Sequence, residues 1–238
     1  MRVLELWRFP VKSLQGERVE AAELGPQGLA GDRRYALFDV ATGFGLTARR
    51  VPEMLFASAR IGAAGVEITL PDGSVAVDDA ALSAWLGREV ALRSVSEVHE
   101  RRYENPADIE TEAESSWAPF EGSDGAFHDS ARAAVSILST ATLGGGEPRR
   151  FRSNMLVDGG GEDALVGRDV RVGTATLSVV APIDRCVMVT RAQPGGIGID
   201  REVLRRLHRE RGGALSVGGT VAAPGSVRVG DEVVGEDG

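Results

Sequence analysis

The sequence predicts a mainly β protein with a few helices. Short apolar segments recur along its 238 residues, and glycine or proline residues separate them at close intervals. Such spacing is typical of a barrel or a curled sheet, because alternating βα units would need a long helical stretch between successive strands. Two longer stretches have apolar residues at helical spacing, each between a capping residue and a glycine, so the helices are few.

The first third of the chain contains most of the predicted short strands and one helix. The helix is AALSAWLG, which Asp78 or Asp79 caps and Gly87 ends. Turn residues such as Pro71-Asp72-Gly73 separate the strands. The predicted strands are MRVLELWRF, ERVEAAEL, RRYALFDV, LTAR, MLFASARI and VEITL.

The segment from about residue 100 to residue 125 differs from the rest. It is acidic, contains two prolines and shows no periodicity. We interpret it as a long loop, and a loop of that length is expected at a domain boundary or as a lid over a site. Its acidic side chains Glu110, Glu112 and Glu114 fit solvated surface better than a cation site.

The remainder returns to β character. Ser139 is predicted to cap a short helix, and Asp200 and Gly212 are predicted to bound a longer one, DREVLRRLHRERGG. The stretch VRVGTATL predicts a hairpin. The predicted strands are AVSIL, FRSNMLVDG, RDVRVG, TATLSVVAP, RCVMVT, VAAPG and SVRVGDEVV.

The net charge of −8 argues against nucleic acid and anionic lipid as partners, since an acidic surface repels both. No apolar run is long enough for a membrane span, and the N-terminus lacks the core of a signal peptide. We therefore expect a soluble, cytoplasmic protein.

Cysteine and histidine are scarce. With one cysteine and three histidines, the chain cannot form an internal disulfide or a cysteine-rich zinc site, and it cannot hold an iron–sulfur cluster. Gly159, Gly161 and Ala164 match a dinucleotide-binding spacing, but no βαβ unit surrounds them.

The single cysteine, Cys186, follows Asp184 and Arg185 at the predicted start of a strand. A free cysteine is most often a small buried apolar residue. A neighbouring arginine would instead stabilise a thiolate, and the end of a strand is a place where a residue can face a cleft. The residues alone leave both interpretations open.

Lys12 is the one lysine of a chain that has 26 arginines. Such a strong preference for arginine favours a role for Lys12 that a guanidinium cannot fill. Arg33 and Arg152 lie in two arginine clusters, each of which is typical of a salt-bridged surface. Together with Lys12 and a helix start at Ser139-Thr140, they could bind a phosphate or carboxylate, provided that they converge. Spacing in the sequence cannot show whether they do.

Several of these segments, in this order, resemble the MOSC family, named for the C-terminal region of molybdenum cofactor sulfurase. The resemblance is to the branch with an N-terminal β-barrel domain, which includes the mitochondrial amidoxime-reducing component. The matching segments span nearly the whole chain: LWRFPVKSLQGE, GLAGDRRYALFD, LTARRVPEM, SILSTATL, RFRSNMLVDG, DRCVMVT and PGSVRVGDEV.

The resemblance implies an N-terminal β-barrel-like domain over residues 1–97, packed on a MOSC β-barrel domain over residues 98–238. It implies a molybdenum–pterin cofactor with Cys186 as the metal ligand, and Asp184 and Arg185 beside Cys186 in catalysis. The positions that match cofactor-binding residues of the family are Lys12, Ser13, Arg33, Ser139, Thr140, Thr142, Arg152, Asn154, Asp184 and Arg185.

Two features depart from the family. Ser153 stands where relatives usually have proline, and the region before SILST is shorter than in the amidoxime reducers. No pyridoxal phosphate reaction is expected, since the lone lysine lies in the PVKS segment.

The resemblance favours an oxidoreductase that reduces small N-hydroxylated or other N-oxygenated compounds with electrons from a separate protein. Two alternatives are a sulfur carrier with a Cys186 persulfide and a cofactor-binding module without turnover.

Overall fold

A computed structural model of the chain describes residues 1–107 and 114–236. These residues form strands for the most part, with three α-helices: α1 (Asp79–Leu86), α2 (Thr140–Leu143) and α3 (Glu202–Arg211). The strands in chain order are β1 (Val3–Arg8), β2 (Glu17–Val19), β3 (Ala21–Gly25), β4 (Gly28–Leu29), β5 (Tyr35–Asp39), β6 (Ser58–Gly62), β7 (Gly65–Thr69), β8 (Val75–Ala76), β9 (Val90–Ser94), β10 (Arg102–Pro106), β11 (Trp117–Glu121), β12 (Val135–Ser139), β13 (Met155–Val157), β14 (Asp169–Val172), β15 (Ala175–Asp184), β16 (Ala214–Ala223), β17 (Gly225–Arg228) and β18 (Val233–Gly235).

The largest sheet has eight strands in the order β18-β14-β15-β16-β12-β13-β1-β2. Its neighbours are antiparallel except for β12 and β13, which run parallel and pair Ile137 with Met155. β1 and β2 join this sheet although they come from the other end of the chain. The sheet therefore links the first twenty residues to the last third of the sequence.

Apolar residues fill the two faces of this sheet separately. Leu6, Ile137, Met155 and Val217 belong to the main core. Leu138 lies on the opposite face and packs with residues from the second half of the chain, because successive side chains of a strand point to opposite faces. That second cluster comprises Leu138, Leu143, Phe151, Leu156, Val189, Val203, Leu207 and Leu215.

The segment between β4 and β10 forms smaller sheets around its own core, whereas β3 and β4 pair with β17. β5 pairs with β9, and β6, β7 and β8 form a three-stranded sheet. Leu37, Met54 and Leu82 are among the residues buried between them. The mainly β fold predicted from the sequence is confirmed, while the domain boundary after residue 97 stays a prediction.

Several local predictions are confirmed. The Asp78 carboxylate accepts a hydrogen bond from the Ala81 amide at 2.8 Å and caps α1, which ends at Gly87 in the left-handed conformation. β14 and β15 form the predicted hairpin around Gly173. α3 ends at Gly212 as predicted.

Other local predictions were wrong. Residues 100–125 are not one long loop, because β10 and β11 pair within them as an antiparallel hairpin with Tyr103 buried. Glu110 and Glu112 lie outside the described residues. The segment CVMVT is not a strand: Val187–Thr190 forms a 3₁₀-helix whose Val189 packs in the cluster around Leu138.

Three smaller corrections concern turns and caps. LTAR forms a turn, closed by the Arg50 amide on the Thr47 carbonyl at 2.9 Å. In MLFASARI the strand is limited to β6, since a 3₁₀-helix that begins at Pro52 takes up the preceding residues. Arg201 occupies the N-cap position of α3, while the Asp200 side chain accepts from the Glu202 amide at 3.0 Å.

None of the helices within the described residues is long and apolar enough to cross a membrane.

Candidate functional site

Lys12 lies just after β1 and is buried. Its Nζ donates to the Phe127 carbonyl at 3.2 Å and pairs with the Asp129 carboxylate. The same ammonium lies 5.1 Å from the centroid of the Tyr103 ring. These contacts bring together three parts of the chain: the segment after β1, the β10 strand and the loop that precedes β12.

Arg33 is fixed by the residue before it. Asp32 is fully buried, accepts from the Phe9 amide at 2.7 Å and pairs with the Arg33 guanidinium. The Arg33 amide donates to the Phe9 carbonyl at 2.7 Å. Arg33 Nη2 then donates to the Arg152 carbonyl at 3.2 Å, which places Arg33 beside Arg152.

Arg152 completes this group of cations. Its guanidinium carbon lies 4.4 Å from the centroid of the Phe9 ring, and that of Arg33 lies 5.1 Å from the same ring. Arg152 also donates to the Leu14 carbonyl. Burial and the charge of Arg33 lower the pKa of Arg152 to about 9, which leaves the guanidinium charged at neutral pH.

Arg185 approaches the same place from the end of β15. Its guanidinium donates to the carbonyls of Leu215 and Phe151, each at 2.8 Å, and to the Ser216 hydroxyl. Burial lowers the pKa of Arg185 to about 10, although the neighbouring Cys186 opposes this shift. Arg185 is therefore held by neutral oxygens from two segments, Phe151 and the Leu215-Ser216 pair of β16.

Lys12, Arg33, Arg152 and Arg185 together are called the cationic pocket below. Two carboxylates pair with these cations: Asp32 with Arg33, and Asp129 with Lys12. In the part of the chain that the structure describes, Arg152 and Arg185 have no carboxylate within ion-pair distance. The pocket thus holds more positive than negative charge, in a chain that is acidic overall.

Cys186 is partly exposed and stands directly before the Val187–Thr190 3₁₀-helix. Its carbonyl accepts from the Val189 amide at 3.1 Å, so the first turn of that helix fixes the cysteine backbone. The charge of Cys186 raises the pKa of both the Arg152 and the Arg185 guanidinium groups. The thiol therefore lies at the cationic pocket with part of its surface open.

Backbone strain is concentrated around the cationic pocket. Among the described residues, four non-glycine residues have positive φ angles: Ser13 (70°), Arg33 (49°), Arg152 (54°) and Ser216 (78°). Arg33 and Arg152 are members of the pocket, Ser13 follows Lys12, and Ser216 accepts from Arg185. Since such conformations are costly for residues with a side chain, their clustering indicates a functional site.

Asn154 is near the cationic pocket, but its side-chain amide is hydrogen-bonded to neighbouring strands of the sheet. It is buried, and its Oδ1 accepts from the Ser136 amide at 3.1 Å and from the Ser136 hydroxyl at 3.0 Å. Its Nδ2 donates to the Trp7 carbonyl at 3.3 Å. Asn154 therefore fixes the start of β13 against β12 and β1, which positions Arg152 two residues earlier.

Ser139, Thr140 and Thr142 are not joined to the cationic pocket by any contact among the described residues. Ser139 is fully buried, and its hydroxyl accepts from the Thr142 amide at 3.1 Å, as a helix cap. The Thr140 hydroxyl donates to the Gly159 carbonyl at 3.3 Å. Ser139 is three residues beyond Ser136 on β12, so their side chains point to opposite faces of the sheet.

Asp184 is exposed at the end of β15, where it pairs with Ala214. It adjoins Arg185 in sequence and raises the pKa of the Arg185 guanidinium slightly against burial. The roles of the predicted site residues as ligands to a cofactor remain predictions.

Sequence reasoning missed two residues of this site, Phe9 and Asp129. Phe9 lies beneath the guanidinium groups of Arg33 and Arg152. Asp129 pairs with Lys12 across 117 positions of sequence. One aspartate among 35 acidic residues carries no local signal of such a contact.

The chain was also compared with known proteins. Residues 1–113 match the family model described as MOSC N-terminal beta barrel domain, and residues 124–234 match the one described as MOSC domain. Among curated proteins, no significant match was found.

Two solved structures are similar to the chain at low identity. The YUAD protein from Bacillus subtilis is 14% identical, with a TM-score of 0.43, over 98% of this chain and 93% of that one. YiiM from Geobacillus stearothermophilus is 17% identical, with a TM-score of 0.35, over 57% of this chain and 72% of that one.

Proposed function

The chain belongs to the MOSC family, whose domains are linked to binding of a molybdenum cofactor, and from this membership we propose that it is a molybdenum-dependent oxidoreductase. Its substrates are small N-hydroxylated or other N-oxygenated compounds, and a separate protein supplies the electrons. Each turnover breaks the N–O bond, consumes two electrons and two protons, and releases water.

The observation that carries this proposal is the cationic pocket beside an open thiol. Arg152 and Arg185 are partly buried charges held only by neutral oxygens among the described residues, so an anion is the partner that would balance them. A pterin phosphate has that charge. Lys12 and Arg33, which already have carboxylate partners, are the other two cations of the cationic pocket.

The donor set also fits the cofactor. Within the described residues no group of three or more His, Cys, Asp or Glu side chains could hold a metal ion. A metal bound at Cys186 would therefore take other ligands from outside this set of side chains, as a metal carried by a pterin dithiolene does. The Cys186 thiolate is a soft donor, as the sulfur atoms of a dithiolene are, so both suit the same metal.

In this assignment Cys186 would hold the molybdenum, and the cationic pocket would hold the anionic part of the pterin. When bound, the cofactor would supply two-electron redox chemistry and oxygen-atom transfer. The chain itself binds and orients: Arg185 balances the charge next to Cys186, and its carbonyl partners hold its guanidinium in place. Phe9 presents an aromatic face that keeps Arg33 and Arg152 together.

Metal analysis tests this function. The wild type and the Cys186→Ala variant should be produced in a host that makes the cofactor, and molybdenum should be measured by mass spectrometry. We expect about one metal per wild-type chain and almost none in Cys186→Ala, since the thiolate is the protein ligand. Ser96→Ala, which alters an exposed residue that has no assigned place in the site, serves as the control and should keep its molybdenum.

A wild type free of molybdenum, or a Cys186→Ala variant that retains it, would overturn the assignment. Reduction of an amidoxime by the loaded protein, with a chemical electron donor, then tests the reaction. Loaded protein without that activity favours a cofactor-binding module, and sulfur released from Cys186 by cyanide favours a sulfur carrier.

A further inference from the structure

Asp32 and Asp129 are both counter-ions of the cationic pocket, but they are held differently. Asp32 is fully buried and is fixed by two partners, the Phe9 amide and the Arg33 guanidinium. The Asp129 side chain is 90% exposed, whereas the Lys12 side chain that it contacts is only 8% exposed. Asp129 therefore covers Lys12 from the solvent side.

Asp129 can leave Lys12 without itself becoming a buried, unpaired charge. Its carboxylate contacts Lys12 and makes no other hydrogen bond among the described residues, so water can solvate it once it moves. Lys12 keeps its hydrogen bond to the Phe127 carbonyl, which holds the ammonium in position. The Arg33 and Arg152 guanidinium groups act electrostatically on Asp129 as well, so its carboxylate stands in the field of three cations.

We propose that Asp129 is a displaceable counter-ion, which occupies the place on Lys12 that a phosphate group of the bound ligand takes. This inference rests on the proposed function in taking the cationic pocket as the binding place of an anionic group. The carboxylate is part of the same chain, so it competes at a high effective concentration. A ligand attached at several points can displace it, whereas free inorganic phosphate cannot do so readily.

Asp129 would thus act as a specificity-determining residue. Any anion must displace the Asp129 carboxylate before it can bind Lys12. This competition excludes small anions more strongly than a ligand that also contacts Cys186 and the arginines. Removal of the Asp129 carboxylate by substitution should therefore strengthen the binding of inorganic phosphate and pyrophosphate to cofactor-free protein.

Calorimetric titration of cofactor-free protein with inorganic phosphate and with pyrophosphate tests this role. We expect Asp129→Asn to bind both probes about tenfold more tightly than the wild type, a change typical of coupling between two groups at one site. Asp124→Asn removes the same charge from an exposed position in the same loop and should bind as the wild type does. Thermal melting of each variant establishes that the fold is kept, and Asp129→Ser provides a second substitution.

Equal affinities in the wild type, Asp129→Asn and Asp129→Ser would overturn the proposal. It would also be overturned if Arg152→Ala did not abolish the gain, because the probe would then bind elsewhere. Molybdenum in the wild type combined with equal affinities removes this inference alone. A wild type without molybdenum, combined with the expected gain, removes the proposed cofactor and retains the anion site.

Discussion

The cationic pocket and the start of α2 both carry polar residues that resemble cofactor-binding positions, yet they differ in how their polar groups are satisfied. In the pocket, Arg152 and Arg185 are partly buried and are held by neutral oxygens. At α2, the Ser139 hydroxyl accepts from the Thr142 amide, and the Glu162 carboxylate accepts from the Ser139 amide at 3.1 Å. In the first region, two guanidinium groups have no carboxylate in contact among the described residues. In the second region, the polar groups hydrogen-bond to one another.

This difference teaches how to separate a binding residue from a structural one. A serine or threonine at a helix start satisfies backbone amides, whether or not a ligand is present. A partly buried guanidinium without a carboxylate in contact keeps a positive charge that a bound anion would balance. We therefore expect substitutions in the cationic pocket to reduce binding, and substitutions at α2 to reduce stability.

The largest expected effect is that of Arg152→Ala on binding. Loss of one charge-assisted contact to an anion should weaken cofactor affinity about a hundredfold, or ~2.7 kcal/mol. Stability should change little, because the substitution also removes a partly desolvated charge that has no carboxylate in contact. The measurement is the molybdenum retained per chain after gel filtration. Arg149→Ala, a neighbouring arginine paired with Glu147, is the control, and equal retention in both variants would contradict the prediction.

Ser139→Ala is expected to have a smaller effect, and on stability alone. Loss of the cap leaves the Thr142 amide without its acceptor, which should lower the free energy of unfolding by about 1 kcal/mol. Urea denaturation measures this change, with Ser130→Ala at an exposed position as the control. Molybdenum content should equal that of the wild type. If Ser139→Ala lost the cofactor while it kept its stability, the distinction between the two regions would fail.

Sequence patterns predicted the parts of the fold that depend on local interactions. The hairpin of β14 and β15 and the caps at Asp78 and Gly87 follow from turn and capping residues alone. The hairpin of β10 and β11 was missed because each of its strands contains a proline and β11 is largely exposed, so no alternation marks it. The segment after Cys186 was assigned to a strand by its β-branched residues, but packing against α3 made it a 3₁₀-helix.

The site was predictable in residue type and not in geometry. Lys12, Arg33, Arg152 and Arg185 were singled out by charge and by resemblance, and the structure brings all four together. The shared support of Arg33 and Arg152 by Phe9, and the pairing of Lys12 with Asp129, depend on contacts across distant segments. The assignment of Ser139 to the same site stays a prediction, since its hydroxyl caps α2 and contacts none of these cations among the described residues.

The smallest expected effect is a dependence of stability on pH at the α2 start. Burial raises the pKa of the Glu162 carboxyl, but hydrogen bonds from Ser139 and Thr142 outweigh it and lower the pKa below its ordinary value of 4.5. A carboxyl with a lowered pKa in the folded state stabilises the protein above that ordinary value, and this stabilisation is lost as the pH falls through the folded-state pKa. Glu162→Gln cannot titrate, so its free energy of unfolding should fall less steeply than that of the wild type below about pH 4.5. Urea denaturation at several pH values measures the two slopes, with Glu210→Gln on the exposed face of α3 as the control. Parallel slopes for the wild type and Glu162→Gln would mean that Glu162 does not stabilise the α2 start through its charge, and the contrast with the cationic pocket would then rest on Ser139 alone.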